Sequence, residues 1–468
     1  MCGIVALIGH EPTDLEPMIQ SLGNVNNRGH EAVGIAGTCR YHNNKQHPLL
    51  HFRHFGLVRD ACTEDRATFR TFTQAVFEQH ANAFVGQTRY STVGRNDPER
   101  TQPIRLNHPR WGEIAICHNG QICTHNEIRL ACEANGHTFR TNPVGDTEAL
   151  AAFIAQIDAK TLVEAVAHVV RMITGTFSLL ILTNKQLIAT RDRLGNKPLW
   201  QQSDAQYIAY ASEVAALPHS GNSATPVNPG SIQIVDLETG HIEEQQIVEP
   251  NPCYCLFEDL YFSRPDQIHG EKIVGDLRRN LGRQTARERP SNADLVCYVP
   301  ESGSDAGLGF AEENGIRFEP RGIVRNFYNV PSRSFILPGQ KNRTAAARQK
   351  YSVSSIVKGN SVAVVDDTLV RGNTLPVITQ MLYEAGAREV HIRIAAAPVK
   401  FPCFGGIDIP IEAELPASTL TEEEIKDLVG AKTLRFLSLE SMLDIAGKTC
   451  DGHCAACFNG CYPYPRPN

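Results

Sequence analysis

Val364-Val365-Asp366-Asp367-Thr368-Leu369-Val370-Arg371-Gly372-Asn373-Thr374 decides the architecture of the second half of this chain. An apolar run over 361–365 ends in two adjacent carboxylates. A Gly-containing loop then opens a stretch with helical spacing, 374–385. Residues 294–299 and 389–396 read as further strands, and strand, loop, helix, strand is the βαβ unit of a parallel sheet. Such a loop offers backbone N–H groups and hydroxyls to a phosphate at the helix N-terminus. Asp366 and Asp367 can face a pair of ribose hydroxyls across from that phosphate. Residues 331–358, rich in Lys, Arg and Gln, form a connection long enough to be expected as a mobile lid.

The first half has a different pattern. Residues 3–8, 83–87, 114–117, 176–183 and 186–189 are short apolar runs bounded by turn residues, and Asn184-Lys185 reads as a two-residue hairpin loop. Residues 147–157 and 161–173 carry apolar positions at helical spacing. Strands in blocks with helices between them predict two sheets packed face to face and covered by helices. The composition breaks over 219–229, rich in Ser, Gly, Asn and Pro, and again over 249–252. The expected division is therefore a first domain over 2–235, a second over 250–445, and a Cys-rich tail over 446–468.

A length of 468 residues suits two or three domains, and 42% apolar with 21% charged residues is the balance of a globular protein. A net charge of −6 gives no basic stripe, so nucleic acid is not an expected partner. No apolar run approaches the roughly 18 residues of a membrane span, and no basic-then-apolar leader is read at the start. A cytoplasmic location away from membranes is the expectation. In a reducing compartment the fourteen cysteines do not read as a disulfide framework. Cys39, Cys62, Cys117, Cys132 and Cys297 are expected as small buried residues. Cys450, Cys454, Cys457 and Cys461 recur within a short polar stretch, a pattern that calls for a metal.

The chain begins Met1-Cys2-Gly3-Ile4-Val5. Removal of Met1 would leave Cys2 with a free α-amine, which titrates near pH 8 and can serve as the base for its own thiol. The words that follow are Asn27-Arg28-Gly29-His30-Glu31, Thr88-Arg89-Tyr90-Ser91-Thr92, His118-Asn119-Gly120, Gly145-Asp146-Thr147-Glu148, Arg191-Asp192 and Ala211-Ser212-Glu213. In order and spacing they resemble the glutamine amidotransferases with an N-terminal nucleophile, from Cys2 to about Leu217. The resemblance implies an αββα sandwich. It also implies that Cys2 attacks the side-chain amide of glutamine, with Asn119 and the N–H of Gly120 as oxyanion donors. Arg89, Thr92 and Asp146 would then bind the amino-acid end of glutamine.

The 364–374 stretch resembles the binding signature of the type I phosphoribosyltransferases. That likeness implies phosphoribosyl pyrophosphate at Asp366, Asp367, Thr368, Arg371, Gly372, Asn373 and Thr374. It implies pyrophosphate and Mg²⁺ at the loop Pro300-Glu301-Ser302-Gly303-Ser304-Asp305, with Ser304, Asp366 and Asp367 near the metal. Taken together, with Tyr261-Phe262-Ser263-Arg264-Pro265-Asp266 and Pro402-Cys403-Phe404-Gly405-Gly406-Ile407-Asp408, nearly the whole chain resembles the amidophosphoribosyltransferase family. The likeness implies transfer of ammonia from glutamine to C1 of phosphoribosyl pyrophosphate at the first step of purine synthesis, homo-oligomers, and inhibition by purine nucleotides. It further implies a 4Fe-4S cluster on Cys255, Cys403, Cys454 and Cys457, with zinc in the same thiolates as the alternative and Cys253, Cys450 and Cys461 as neighbours able to substitute. Two positions depart from the family pattern, and two extra residues stand in Asn329-Val330-Pro331-Ser332. Arg325-Asn326-Phe327-Tyr328 lacks one positive charge of the usual Lys-Asn-Arg-Tyr, and residue 373 is Asn where a small hydroxyl residue is commoner. These departures admit a paralogue with another acceptor or pathway. A non-catalytic sensor of a phosphoribosyl ligand is the reading from a different class.

Overall fold

The structure is a computed structural model that describes residues 1–11, 15–39, 48–63, 66–90, 98–221, 223–269, 272–326, 348–409, 411–447 and 452–466. The chain divides into two compact units. The first comprises Met1–Tyr254 with Phe404–Asp408 and Tyr462–Asn468, and the second Cys255–Cys403 with Ile409–Cys461.

Among the described residues, thirteen strands of the first unit form two antiparallel sheets. They are β1 (Gly3–Gly9), β2 (Ala32–Thr38), β3 (Leu50–Phe55), β4 (Ala83–Arg89), β5 (Ile104–His108), β6 (Gly112–Ile122), β7 (Gly175–Leu182), β8 (Gln186–Arg191), β9 (Trp200–Ser203), β10 (Tyr207–Ala211), β11 (Thr225–Pro226), β12 (Ser231–Asp236) and β13 (Ile242–Gln246). One sheet runs β11-β9-β10-β1-β4-β2-β3 and the other β13-β12-β8-β7-β6-β5. The apolar runs are continuous because their two faces meet different partners. Ile4, Ala6 and Ile8 of β1 pack with Leu180 and Leu182 of β7 in the layer between the sheets. Val5 and Leu7 point the other way, into a core with Met18, Leu22 and Phe72. Phe177, Leu179 and Ile181 pack on the far side against Leu150 and Ile154 of the helix Asp146–Gln156 and Val166 and Val169 of the helix Leu162–Met172. The layers are helix, sheet, sheet, helix, the expected αββα sandwich.

Local chemistry sets the ends of these elements. Thr161 caps the Leu162–Met172 helix, and Glu164 completes a capping box. Thr183 N donates to Gln186 O at 2.9 Å, closing the β7–β8 hairpin over Asn184-Lys185. Cys62 departs from expectation. It is half-buried rather than buried, because its short helix Val58–Thr63 turns Val58 and Ala61 inward instead.

The second unit holds a five-stranded parallel sheet in the order Arg317–Phe318, Leu295–Tyr298, Ser361–Asp366, Glu389–Ile394, Thr433–Phe436. All six residues of the Ser361–Asp366 strand are buried, as a central strand of a parallel sheet requires. Helices Val274–Glu288, Ser304–Asn314, Thr374–Glu384, Glu422–Val429 and Leu439–Ala446 also belong to the unit. The expected lid over 331–358 needs correction at its end. Residues 331–347 lie outside the described residues, but Tyr351–Val353 is a strand paired antiparallel with Ile323–Arg325, and Ser355–Val357 is a 3₁₀ turn. Tyr351 anchors this piece: its ring is buried and its hydroxyl donates to Pro300 O at 3.2 Å.

Candidate active site

Cys2 immediately precedes β1, and β4 runs antiparallel beside it, so residue 2 lies against the end of β4 where Arg89 and Tyr90 stand. Tyr90 N donates to Cys2 Sγ at 3.5 Å, and the thiol in turn points at Tyr90 O at 3.6 Å. The Cys2 carbonyl accepts from Arg28 Nε at 3.2 Å. Arg28 is itself held by Glu213 at 2.9 Å in an ion pair whose side chains are fully buried, and Asn27 Nδ2 donates to the same carboxylate at 2.8 Å. Burial pushes the Cys2 thiol above its ordinary value, while the charge of the amino terminus, the Tyr90 N–H and Arg89 pull it back toward the thiolate.

A cavity of about 720 Å³ opens beside Cys2, lined by Arg89, Tyr90, Gln102, His118, Gly120, Asp146, Thr147 and Gly406 among others. One group of polar side chains is tied together at its wall. Gln102 Oε1 accepts from His118 N at 2.6 Å and Gln102 Nε2 donates to Thr147 Oγ1 at 2.9 Å. His118 Nδ1 lies 3.0 Å from that hydroxyl and 3.7 Å from Asp146 Oδ2. Burial lowers the His118 pKa against the pull of Asp146, which favours the neutral imidazole. Asp146 opens its helix, where the helix dipole favours a carboxylate. On β6, Asn119 is fully buried, and neither its Oδ1 nor its Nδ2 has a hydrogen-bond partner. Gly120 follows with φ of +149°, and a side chain there would run into the Thr176 carbonyl. The fold thus brings Cys2, Arg89, Gly120 and Asp146 to one cavity wall with Asn119 adjacent in the strand, whereas Thr92 lies outside the described residues.

In the second unit Asp366 and Asp367 end the central strand. The Leu295–Tyr298 strand, parallel and in register beside it, ends at the same edge and leads into the 300–305 loop. This is the carboxyl edge at which open parallel sheets bind ligands. Asp367 N donates to Asp366 Oδ1 at 3.0 Å and Thr368 Oγ1 to Asp367 Oδ1 at 2.6 Å. Asp367 Oδ2 is buried with no partner. Burial pushes both carboxyls up, Asp366 more strongly because Asp367 adds like charge. Lys350 opposes this at Asp366; Ser302, Thr368 and Arg278 oppose it at Asp367. Asp305 is also raised by burial, against the pull of Arg278. Gly372 has φ of +65°, Asn373 precedes the helix without a side-chain cap, and Thr374 and Ser304 each open a helix. Arg371 is committed to Glu414 at 2.6 Å.

Four thiols also converge in this unit. Cys403, Cys255 and Cys454, in that order, raise the buried Cys457 thiol after the larger effect of its burial. The Cys457 carbonyl accepts from Lys400 N at 2.9 Å and Phe401 N at 3.0 Å. The donor set is soft and nearly all buried, which fits an iron–sulfur or zinc ligand set in its chemistry. Among the described residues no three His, Cys, Asp or Glu side chains close into a single-ion site. Of the neighbours, Cys253 lies in the first unit with its N–H on Leu194 O at 2.7 Å, Cys461 is exposed, and Cys450 lies outside the described residues.

Several residues of the site escaped sequence reading. Gln102 sits before a proline in an unremarkable stretch and offers no signal. Glu213 and Gly406 lie in words that were matched, but their contacts depend on strands and loops far off in the chain.

A family model described as a glutamine amidotransferase domain matches residues 87–219. Over 99% of its length the chain is 34% identical to the amidophosphoribosyltransferase of Methanocaldococcus jannaschii, covering 98% of that protein. It is likewise 34% identical over 99% to that of Bacillus subtilis, covering 94%. A solved B. subtilis structure, described as glutamine phosphoribosylpyrophosphate amidotransferase complexed with ADP and GMP, matches with a TM-score of 0.85 at 33% identity, covering 99% of this chain and 98% of that one. A second, described as the allosteric regulatory enzyme of purine biosynthesis, matches with a TM-score of 0.86 at 33% identity, covering 99% and 97%. With the likeness spanning both halves from end to end, the chain belongs to the amidophosphoribosyltransferase family.

Proposed function

We propose that the chain hydrolyses glutamine at Cys2 and delivers the ammonia to C1 of phosphoribosyl pyrophosphate. The products are 5-phosphoribosylamine, glutamate and pyrophosphate, at the first step of purine synthesis. The observation that carries this reading is the bare, buried amide of Asn119 next to Gly120. Leaving such a group unpaired costs about 1–3 kcal/mol, a cost recovered when negative charge develops beside it.

With Met1 removed, the Cys2 amine takes the thiol proton and Sγ attacks the glutamine amide carbon. Asn119 Nδ2 and Gly120 N–H hold the oxyanion, ammonia leaves, and water releases glutamate from the thioester. Arg89 clamps the α-carboxylate of glutamine, Asp146 its α-ammonium, and Thr92 completes that end. In the second unit Asp366 and Asp367 accept the ribose hydroxyls, and Thr368, Arg371, Gly372, Asn373 and Thr374 cradle the phosphate. The nitrogen of ammonia bonds to C1 as the C1–O bond to pyrophosphate breaks, and the adduct then loses a proton. The unpartnered, buried Asp367 Oδ2 fits a hard cation, and the family likeness adds Ser304 and Asp366 as further oxygen donors. Mg²⁺ there would neutralise the departing diphosphate.

Cys255, Cys403, Cys454 and Cys457 are assigned to a 4Fe-4S cluster that ties 453–459 to 400–403. Iron and sulfide analysis with a visible absorption band tests this; zinc without iron would replace it. Purine nucleotides are proposed as inhibitors, weakened by the charge missing from 325–328, and a homo-oligomer is proposed on family grounds; titration with ADP and GMP and light scattering test these. Another acceptor is the second reading, favoured by Arg325, which pairs with Glu301 of the diphosphate loop at 2.8 Å. Anaerobic assay with glutamine, phosphoribosyl pyrophosphate and Mg²⁺ distinguishes the two. Equal release of glutamate and pyrophosphate, lost in Cys2→Ala and in Asp366→Asn/Asp367→Asn, supports the proposal. Glutamate without pyrophosphate would retire it in favour of another acceptor.

A further inference from the structure

Gly120 is confined on two sides. On one, a Cβ would strike the Thr176 carbonyl of β7. On the other lies Gly406, whose own Cβ would stand 3.0 Å from the Gly120 carbonyl carbon and 3.1 Å from its oxygen. Gly406 has φ of +94°, a conformation that side chains rarely adopt, so position 406 demands glycine both for backbone and for space. It belongs to the strap Phe404–Asp408, which returns to the first unit from late in the chain. The strap is fastened by Thr176 Oγ1, which donates to Gly405 O at 2.9 Å across 229 positions, and by Cys123 Sγ, which lies 3.5 Å from Phe404 O across 281. Thr176 is fully buried. Tyr464 leaves no room for a side chain at Gly405.

We propose that the strap 404–408 is a positioning element of the glutamine site, backing the Gly120 carbonyl and so holding that residue where its N–H meets the oxyanion. It rests on the glutaminase reading above. The strap bears on the oxyanion edge of the cavity, whereas the nucleophile is held separately by Tyr90 and Arg28. Loss of the strap therefore slows turnover without changing how readily Cys2 reacts. A Gly120 peptide displaced by a few tenths of an ångström weakens an interaction that exists only in the transition state, so kcat falls while KM holds.

The test uses the full-length protein with Gly406→Ala, Thr176→Val and Thr176→Ser. Glutamate release gives kcat and KM, and peptide mass spectrometry gives the rate of Cys2 alkylation by iodoacetamide. Gly406→Ala is expected to lose about tenfold or more in kcat, on the scale of a weakened oxyanion donor, with KM and alkylation within about twofold. Thr176→Val loses several-fold, and Thr176→Ser, which keeps the hydroxyl, restores wild-type turnover. If Gly406→Ala does not fold, the valine–serine pair decides alone. The proposal is overturned if kcat is unchanged in the folded variants, or if kcat and Cys2 alkylation fall in proportion. Failure of the glutaminase reading shows separately: the wild type would release no glutamate, or Cys2→Ala would release it normally.

Discussion

The cysteine cavity and the acidic strand end are built on opposite electrostatic terms. Around Cys2, charge is matched within the protein: Arg28 meets Glu213, and Gln102, His118 N and Nδ1, and Thr147 are joined by hydrogen bonds. At the strand end, Asp366 and Asp367 are buried side by side with Asp367 Oδ2 unpartnered, and both carboxyls are driven up. The first site is prepared for a neutral amide and keeps Asn119, buried without a hydrogen-bond partner, for charge that develops during reaction. The second carries its deficit at rest and suits ligands that bring hydroxyl donors and a cation.

Four changes sharpen or break this contrast. The largest effect is expected from Cys2→Ala, which should lower glutamine-dependent product formation by about a thousandfold or more while leaving the melting temperature near wild type. Retained activity would remove the nucleophile from the first site altogether. Next, Arg28→Met strands a buried carboxylate and should cost about 3–5 kcal/mol in denaturant unfolding, with Arg28→Met/Glu213→Leu recovering most of it. A loss below 1 kcal/mol would mean, on the same scale, that the pair is not buried in solution.

Gln102→Leu takes the Gln102 acceptor from His118 N, at about 1–3 kcal/mol, and leaves Thr147 Oγ1 to His118 Nδ1 and Asp146; it should raise the KM for glutamine more than it lowers kcat through Asp146. The smallest effect concerns pH at the second site. An aspartate in the unfolded chain ionises near pH 3.9, whereas Asp366 and Asp367 do so higher in the fold. Between those values the folded state holds protons that the unfolded state has lost, so stability falls as pH rises through the window. In the absence of metal, Asp367→Asn should unfold at a higher temperature than wild type at pH 7. The advantage should shrink as pH falls toward the unfolded value and invert in sense when Mg²⁺ is added. Parallel melting curves across pH would place the carboxylates in water instead.

How much was legible follows from the range of the interactions. The β1 and β7 runs, the Asn184-Lys185 hairpin and the helices near 147 and 161 were readable because side-chain period, capping and turn chemistry act over a few residues. Cys2, Arg89, Asn119, Gly120 and Asp146 were readable as words, yet only the sheets carry them from separate stretches of sequence to one neighbourhood. The strand Tyr351–Val353 within the expected lid was missed because its partner strand is short and Tyr351 finds its hydrogen bond far away in sequence.

By itself the sequence determined the elements, the αββα and parallel-sheet classes and the residue types of both chemistries, because each rests on local periodicity or on a contiguous word. Only the tertiary structure decided that Glu213 secures Arg28 across 185 positions, that Gly406 backs Gly120, and that Cys255 and Cys403 meet Cys454 and Cys457. Those contacts depend on which distant segments the packed core brings together, and that choice is made by the whole buried surface at once.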